Sequence, residues 1–488
     1  MSAATETTRG AFDWTRVLRE ARRFGVERFR PGQRELIEAV LAGRDAIGVL
    51  PTGGGKSLCY QLPALLLPKP TVVVSPLLAL VQDQVAHLDA WRLESSRLDS
   101  SLSAAEERHN ETEIRTGISP LIYVTPERLQ TEDCLALLRR NGVSRLVVDE
   151  AHCVSEWGHD FRPAYLGIAE AARRLGSPPI LAVTATATAE TTRDLAAQLR
   201  MQSPLLVRPG LARPNLAFRV VRTVNDDRKR EALRAVLAAE PGAGIVYAAT
   251  IAVAEEIHAW LAGEGVSVGL YHGKRPMHAR EETQRRFMAG ELRVMVATKA
   301  FGLGVDKPDV RFVAHWTFPD SLESYAQEAG RAGRDSKPAQ AVLLFRLEDR
   351  RIQSYFLGTR YPRPAECQRL CAVLPQIASP LAPDTLADAA QMPVRRLRVV
   401  LEHLERDGVV RVRDDEITVV SPRETPRSLA EVVASYTRRR AGDRARLDAM
   451  MRYAERLECR AAQLLRYFGE PAAACGACDV CTASGGAS

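Results

Sequence analysis

The stretch Leu50-Pro51-Thr52-Gly53-Gly54-Gly55-Lys56-Ser57 decides how the rest of this 488-residue chain is interpreted. It follows an apolar run from Ala46 to Leu50 and precedes a helix-like run from Leu58 to Leu67, an order that predicts strand, loop and helix. Glycines let a backbone curve closely enough for its N–H groups to face phosphate oxygens, and the dipole of the following helix favours an anion. We therefore predict a loop that binds a nucleoside triphosphate.

Each residue type in this loop suits one task on a bound nucleotide. Lys56 has the length to reach the β- and γ-phosphates, and Ser57 carries a hydroxyl that can hold Mg²⁺. The strict pattern has glycine at the position of Leu50, so a glycine-rich turn before a helix is the alternative at this point. The predicted ATP-binding residues are Arg30, Gln33, Thr52, Gly53, Gly54, Gly55, Lys56 and Ser57.

Gln33 lies upstream of the loop, after a Pro31-Gly32 turn and before a predicted helix from Arg34 to Leu41. A side-chain amide offers both a donor and acceptors, and the edge of adenine presents the complementary pair. We expect Gln33 to contact that base. A solvated glutamine after a turn is the alternative.

Composition and charge limit the class of protein. A chain of this length should form about three domains, and its 46% hydrophobic and 26% charged content is ordinary for a globular protein. Its apolar runs are shorter than the roughly 18 residues of a membrane span, and residues 1–10 do not resemble a signal peptide. We expect a soluble cytoplasmic protein without a membrane partner. The net charge of +7 mildly favours a polyanionic partner.

Apolar strands alternate with helical segments through two successive parts of the chain. Such alternation predicts parallel sheets covered by helices on both faces, with ligand sites at the carboxyl ends of the strands. The second part has no phosphate-binding loop of its own, so two similar lobes imply one ATP site at their interface. The predicted strands are 46–50, 71–74, 121–124, 146–148 and 180–183, followed by 244–247, 268–271, 293–296 and 310–313.

An acidic pair, Asp149-Glu150, directly follows the predicted strand that ends at Val148. Carboxylates at the end of a buried strand are costly without a cation or a reacting partner. We predict that Asp149 holds Mg²⁺ and that Glu150 orients and deprotonates the attacking water. Two exposed loop carboxylates are the alternative.

From Asp149 to Pro163 the chain reads D-E-A-H-C-V-S-E-W-G-H-D-F-R-P. This segment resembles motif II and the aromatic-rich loop of the RecQ family of superfamily 2 DNA helicases. Aromatic rings beside basic side chains suit base stacking with phosphate contact, although loop aromatics are also common as core anchors. The resemblance implies that the loop couples single-stranded DNA binding to Glu150 through Trp157, His159, Phe161 and Arg162.

Two later segments extend the resemblance. Residues 324–335 read S-Y-A-Q-E-A-G-R-A-G-R-D and resemble motif VI, and residues 296–308 resemble motif V. Arg331 and Arg334 are predicted to project the same way from a helical turn, where either could act as an arginine finger; Gln327 is a further catalytic candidate. Val26 stands where the family usually has an aromatic that stacks on adenine, and residues 273–275 read Gly-Lys-Arg instead of Ala-Gly-Leu.

A proline-rich stretch after Arg360 predicts a linker or domain entry. Helix signals at 384–390 and 394–407, a stop at Gly408, and strands at 409–412 and 417–420 then predict a winged helix. Residues 362–424 hold nine Arg and ten Asp or Glu, a net charge of −1, so DNA binding and a packing or protein-contact role both stay open. The candidate DNA contacts at the start of the recognition helix are Arg395, Arg396 and Arg398.

Four cysteines cluster near the end of the sequence, at positions 459, 475, 478 and 481. Four thiolates make a closed tetrahedral site, which predicts a structural Zn²⁺ held by Cys459, Cys475, Cys478 and Cys481; free thiols are the alternative. This segment resembles the zinc module of the RecQ family, although here the winged helix precedes it. Only seven residues follow Cys481, from which we expect no further C-terminal winged-helix or HRDC domain.

The predicted fold class is α/β, with two RecA-like lobes at 11–210 and 211–350, a winged-helix-like module at 362–424, a helical zinc-binding module at 425–481 and a flexible tail at 482–488. The resemblance implies an ATP- and Mg²⁺-dependent 3′-to-5′ helicase that acts on single-stranded and duplex DNA in recombination and repair, with Zn²⁺ as a structural ion. An RNA helicase or translocase, and a zinc-stabilised binding protein with inert lobes, are the alternatives. The sequence indicates no particular protein partner.

Overall fold

The computed structural model describes residues 13–485, except 77–80, 82–83, 86–87, 89–90, 156–161, 303–306, 378–379 and 414–415. The described residues up to 212 form one unit, and those from 213 onward form a second. Among the described helices, none combines the length and the hydropathy that a membrane span requires.

The first unit is built on a parallel sheet whose described strands are ordered β3-β4-β2-β5-β6-β1-β7. Runs such as Thr71–Val74 are buried along their whole length because helices cover both faces of the sheet. Separate apolar clusters fill the two faces. The strands are β1 (Ala46–Val49), β2 (Thr71–Val74), β3 (Ser95–Leu98), β4 (Leu121–Val124), β5 (Arg145–Val148), β6 (Ile180–Thr184) and β7 (Leu205–Val207).

The helices of the first unit begin where the sequence supplies caps. Asp13 accepts backbone N–H groups of the first helix, and Ser103 with Glu106 forms a reciprocal capping box. The helix after the glycine-rich loop is shorter than the predicted 58–67, since it ends at Ala64. The described helices are α1 (Trp14–Arg23), α2 (Gln33–Leu41), α3 (Leu58–Ala64), α4 (Ala104–Thr116), α5 (Pro126–Leu129), α6 (Glu132–Asn141), α7 (Ile168–Arg174) and α8 (Ala189–Gln198).

Strand register gathers the polar motifs of the first unit at one edge of the sheet. The N–H of Leu50 donates to the Thr184 carbonyl at 3.0 Å, and the N–H of Asp149 donates to the Val74 carbonyl at 2.9 Å. The chain therefore leaves β1, β2, β5 and β6 side by side at their carboxyl ends, where parallel sheets place ligand sites.

The second unit also contains a parallel sheet, ordered β10-β11-β9-β12-β13-β8 in the described residues. The sequence pattern missed two strands of this sheet, Leu216–Arg222 and Ala339–Phe345, although the second is buried along its whole length. The strands are β8 (Leu216–Arg222), β9 (Ala243–Tyr247), β10 (Val268–Tyr271), β11 (Val294–Ala297), β12 (Val310–His315) and β13 (Ala339–Phe345), and the helices are α9 (Asp226–Ala239), α10 (Ile251–Gly263), α11 (Met277–Met288), α12 (Leu322–Ala329) and α13 (Arg350–Arg360).

A winged-helix-like module follows α13. Its described residues form three helices, α14 (Pro364–Val373), α15 (Pro383–Ala389) and α16 (Val394–Arg406), and an antiparallel pair of β14 (Val410–Arg413) and β15 (Glu416–Val419). The helix α14 lies in the proline-rich stretch that predicts a linker or domain entry, and it forms there because Pro364 occupies the first helical turn, where proline is tolerated. Gly408 follows α16 with φ of +72°, as a helix stop requires.

One long helix, α17 (Thr425–Glu455), links this module to the zinc-binding segment. The apolar cluster of the module continues past residue 424 to Leu429, Val432 and Tyr436 in α17. The predicted boundary between 424 and 425 therefore does not separate two cores. After α17 come α18 (Arg460–Tyr467) and α19 (Asp479–Gly485), so the predicted flexible tail from 482 begins as helix.

Candidate nucleotide, zinc and nucleic-acid sites

The glycine-rich loop lies between β1 and α3, as the sequence predicts. Gly53 and Gly55 have φ of +79° and +73°, and a Cβ at Gly54 would lie 2.8 Å from the Pro51 carbonyl oxygen. Leu50, which replaces the usual glycine, is fully buried at the end of β1. Leu50 therefore packs in the core directly after the strand and leaves the turn of the loop unobstructed.

Gln33 and Arg30 contact the loop itself. The Gln33 amide donates to the carbonyls of Gly54 at 3.2 Å and Gly55 at 3.0 Å, and its oxygen accepts from the Arg30 N–H at 2.8 Å. The Arg30 guanidinium donates to the Gly53 carbonyl. Both ends of the Gln33 amide are thus bound by the chain itself, and its contact with adenine stays a prediction.

Asp149 and Glu150 lie directly after β5 and are each 6% exposed. Burial raises the pKa of Asp149 to about 7, with a further contribution from the charge of Glu150, while the charge of Lys56 opposes the shift. The structure thus brings Lys56 within electrostatic range of the acidic pair. A carboxylate and the Ser57 hydroxyl offer the oxygen ligands that Mg²⁺ prefers, so these residues fit that ion.

Glu150 has a left-handed backbone, with φ of +45°, which is uncommon for a residue with a side chain. Its Oε2 lies 3.3 Å from His152 Nδ1, and that nitrogen lies 2.9 Å from the Thr184 hydroxyl at the end of β6. The acidic pair is therefore connected to the Thr184-Ala185-Thr186 segment that follows the neighbouring strand.

The aromatic-rich loop falls largely outside the described residues, which include neither Trp157, His159 nor Phe161. Arg162 is described and half-buried, and its guanidinium donates to the Pro76 carbonyl at 2.7 Å. This arginine, predicted to contact DNA, thus braces the segment after β2.

Motif VI lies in the second unit, where α12 ends at Ala329. Arg331 and Arg334 follow in a turn that contains Gly333 at φ of +62°, so the prediction that they share a helical turn is wrong. Arg331 is 3% exposed, whereas Arg334 is half-buried. Gln327 is half-buried in α12.

Sequence reasoning missed two residues that brace this turn. The Arg213 guanidinium donates to the carbonyls of Gly330, Ala332 and Gly333 at 3.2, 2.8 and 2.8 Å. The Asn215 amide donates to the Gly333 carbonyl at 2.8 Å. The available signal is an Arg-Pro-Asn run just before β8, in which the Arg213 and Asn215 side chains carry donors that suit free carbonyls of a turn.

The three arginines at the start of α16 do not form one surface. Arg395 and Arg398 are exposed, but Arg396 is 9% exposed and pairs with the buried Glu366 at 2.6 Å. The prediction that Arg396 contacts DNA is therefore corrected, because helical periodicity turns this position toward α14.

The four clustered cysteines come together at the start of α18 and around the start of α19. Their sulfur atoms all lie within 4.8 Å of one another, and they form a candidate metal site. Backbone N–H groups of Cys475 and Arg460 donate to the sulfurs of Cys459 and Cys478 at 3.2 and 3.5 Å. Burial would raise the pKa of Cys459, but hydrogen bonds from Ala462 and Cys475 lower it to about 7. Four thiolates favour Zn²⁺ in a closed tetrahedral site.

Three family models match successive parts of the chain. They are described as DEAD/DEAH box helicase over residues 30–195, helicase conserved C-terminal domain over 228–336, and RecQ zinc-binding over 424–482. The winged-helix-like module lies between the second and third matched segments. The last match agrees with the cysteine cluster as a structural Zn²⁺ site.

Curated relatives and solved structures extend these matches. The chain is 43% identical to the ATP-dependent DNA helicase RecQ of Bacillus subtilis over 68% of this chain and 56% of the relative. It is 41% identical to the probable ATP-dependent DNA helicase RecS of the same organism, over 68% of each chain. The fold is similar to that of Mycobacterium smegmatis helicase Lhr, with a TM-score of 0.58 and 20% identity over 86% of this chain and 61% of that one.

The phosphate-binding loop, the acidic pair at a neighbouring strand and the second parallel-sheet unit define the fold of a superfamily 2 helicase. With its zinc-binding segment, the chain belongs to the RecQ family. It spans little more than half the length of the RecQ helicases of Bacillus subtilis and Pasteurella multocida, at 56% and 51%.

Proposed function

We propose that this chain is an ATP-dependent DNA helicase that translocates 3′ to 5′ on single-stranded DNA and unwinds duplexes in recombination and repair. The observation that carries the proposal is the placement of Lys56 within electrostatic range of the buried Asp149-Glu150 pair in a RecQ-family fold. Relatives named ATP-dependent DNA helicases support the choice of substrate. DNA as substrate fits a cytoplasmic location, at the nucleoid if the source is bacterial.

In the proposed reaction, N–H groups of the glycine-rich loop and Lys56 bind the phosphates, and Arg30 and Gln33 hold the loop in shape. Mg²⁺, held by Ser57 and Asp149, would neutralise charge on the phosphates. Glu150 orients the attacking water and accepts its proton. The buried position of Glu150 excludes bulk water from this step.

We assign the remaining predicted residues to two tasks. Arg331 and Arg334, with Gln327, supply positive charge and contacts to the transition state. Trp157, His159, Phe161 and Arg162 couple single-stranded DNA to Glu150, and the exposed Arg395 and Arg398 contact duplex DNA. The interior ion pair of Arg396 leaves that residue out of the DNA contact.

The test compares ATP hydrolysis with and without single-stranded DNA, followed by unwinding of duplexes with a 3′ or a 5′ tail. We expect strong stimulation by DNA and unwinding from the 3′ tail. Absent hydrolysis under both conditions would favour an inert binding protein. Equal or better unwinding of an RNA duplex would contradict the choice of DNA, and preference for the 5′ tail would contradict the polarity.

A further inference from the structure

A row of buried polar side chains runs from the winged-helix-like module into α17. It starts at His403 in α16, whose Nε2 lies 2.9 Å from the Tyr436 hydroxyl in α17. The Tyr436 and Tyr361 rings are 5.4 Å apart, and the Tyr361 hydroxyl donates to Asp443 Oδ2 at 2.6 Å. His403, Tyr436 and Asp443 are each no more than 5% exposed.

Beyond Asp443, α17 packs against α12, the helix that precedes the motif VI arginines, where the Tyr325 and Tyr453 rings are 5.3 Å apart. Arg446 lies one turn beyond Asp443 in α17 and pairs with its carboxylate. Glu323 in α12 is 6% exposed and accepts a hydrogen bond of 2.8 Å from Tyr467 in α18. Burial raises the pKa of Glu323, while Tyr467 and the charge of Arg446 oppose the shift. The charge of Arg446 thus acts on both carboxylates, one in its own helix and one in α12.

The position of this row along the chain is informative. Tyr361 lies where the chain leaves α13 and enters the module, and Asp443 lies where α17 has emerged from the apolar cluster of the module, which reaches Tyr436. Their hydrogen bond therefore joins the two connections through which the module is attached to the second lobe.

Buried polar contacts of this kind fix geometry more than they add stability. Apolar packing of similar volume would hold a module in place at least as well, because a buried carboxylate must recover the cost of its lost hydration. Hydrogen bonds are directional, however, so a paired carboxylate permits one arrangement of its partners. Asp443, which binds Tyr361 and Arg446 at separate oxygens, has this arrangement.

We propose that Tyr361 and Asp443 are positioning residues that hold the winged-helix-like module in one orientation on the second lobe and transmit displacements of α12 to it. The expected effect on unwinding rests on the proposed helicase function, whereas the physical coupling between α12 and α16 does not. Because coupling is an interaction free energy between two sites, it is tested by a substitution at one site and a measurement at the other.

The first experiment compares Tyr361→Phe with the wild-type, zinc-loaded chain. The variant keeps the ring against Tyr436 and removes only the hydroxyl that reaches Asp443. We expect single-stranded DNA to stimulate hydrolysis as before, while base pairs opened per ATP fall about tenfold, the size of effect typical for a hydrogen bond to a charged group. Thr437→Ala is the matched control, since this exposed hydroxyl donates to the Val433 carbonyl of its own helix.

The second experiment measures amide hydrogen exchange in the same proteins and needs no helicase activity. Tyr361→Phe should raise exchange in both α16 and α12, and Asp443→Asn should do so too. An increase confined to the residues around 361, or none, would overturn the proposal. If the wild type unwinds DNA, an unchanged ratio of base pairs opened to ATP hydrolysed in Tyr361→Phe would also overturn the proposal. A wild type that hydrolyses no ATP would refute the proposed function, and hydrogen exchange would then decide the coupling alone.

Discussion

Replacing Gln33 by alanine tests whether this residue supports the phosphate-binding loop or recognises adenine. In the structure its amide donates to the carbonyls of Gly54 and Gly55 and accepts from the N–H of Arg30. The substitution removes all three hydrogen bonds. It leaves the rest of α2 intact, because alanine is a good helix former.

The expected magnitude follows from these contacts. A hydrogen bond contributes about 0.5–1.5 kcal/mol net, and the half-exposed loop lets water replace part of it, so three bonds total about 1.5–3 kcal/mol. If the loop must be ordered to bind phosphates, this loss raises KM for the nucleotide about ten- to hundredfold. The effect should be nearly the same for ATP and GTP, since both carry the same triphosphate.

The assay measures kcat and KM for ATP and GTP in Gln33→Ala, with Glu35→Ala as the control on the exposed face of the same helix. A parallel rise of both KM values would support the role in the loop. Loss of ATP affinity with unchanged GTP affinity would show that the amide recognises adenine, and would refute the reasoning from these contacts.

Four further outcomes are expected. Glu150→Gln should bind ATP and DNA but hydrolyse ATP at least about a hundredfold more slowly; near-normal turnover would exclude Glu150 as the base. Because burial raises the pKa of Asp149 to about 7, Mg²⁺ must displace a proton at lower pH, so the Mg²⁺ needed for nucleotide binding should rise roughly tenfold per pH unit below 7; equal Mg²⁺ dependence at pH 6 and pH 8 would contradict this. Cys478→Ser should lose about one Zn²⁺ per chain and much solubility, and unchanged metal content would refute the four-cysteine site. Alanine at both Arg395 and Arg398 should weaken duplex binding and reduce its salt slope by about 2; an unaltered slope would assign the module another role.

The sequence predicted the parts of the fold that depend on local pattern. Continuous apolar runs predicted the buried parallel strands, and the acidic pair was placed at a strand end because Val147 and Val148 precede it. The cysteine cluster was predictable from spacing alone. The strand β13 was missed, although its residues Ala339–Phe345 are all buried, because no polar motif marked its end.

The sequence could not predict which hydrogen-bond or ion-pair partner a polar side chain binds. Arg396 was grouped with its neighbours, yet helical rotation turns it toward Glu366 while Arg395 and Arg398 stay exposed. The sequence likewise does not show that the Gln33 amide binds the Gly54 and Gly55 carbonyls of its own chain. In both cases, tertiary contacts between segments distant in sequence decide where a donor is satisfied.

The zinc-binding segment also contacts an edge of the second parallel sheet. In the described sheet of the second unit, β8 is an edge strand, and unpaired N–H groups along such an edge invite association with other chains. Asp479 accepts from the Val220 N–H of that strand at 3.4 Å, and it is held there by Arg460 at 3.0 Å. Arg460 and Asp479 each follow a cysteine of the cluster directly. A tetrahedral Zn²⁺ would therefore hold Arg460 and Asp479 in position against β8. We expect Cys478→Ser to lose solubility because the edge of β8 becomes exposed, and not because either sheet unfolds.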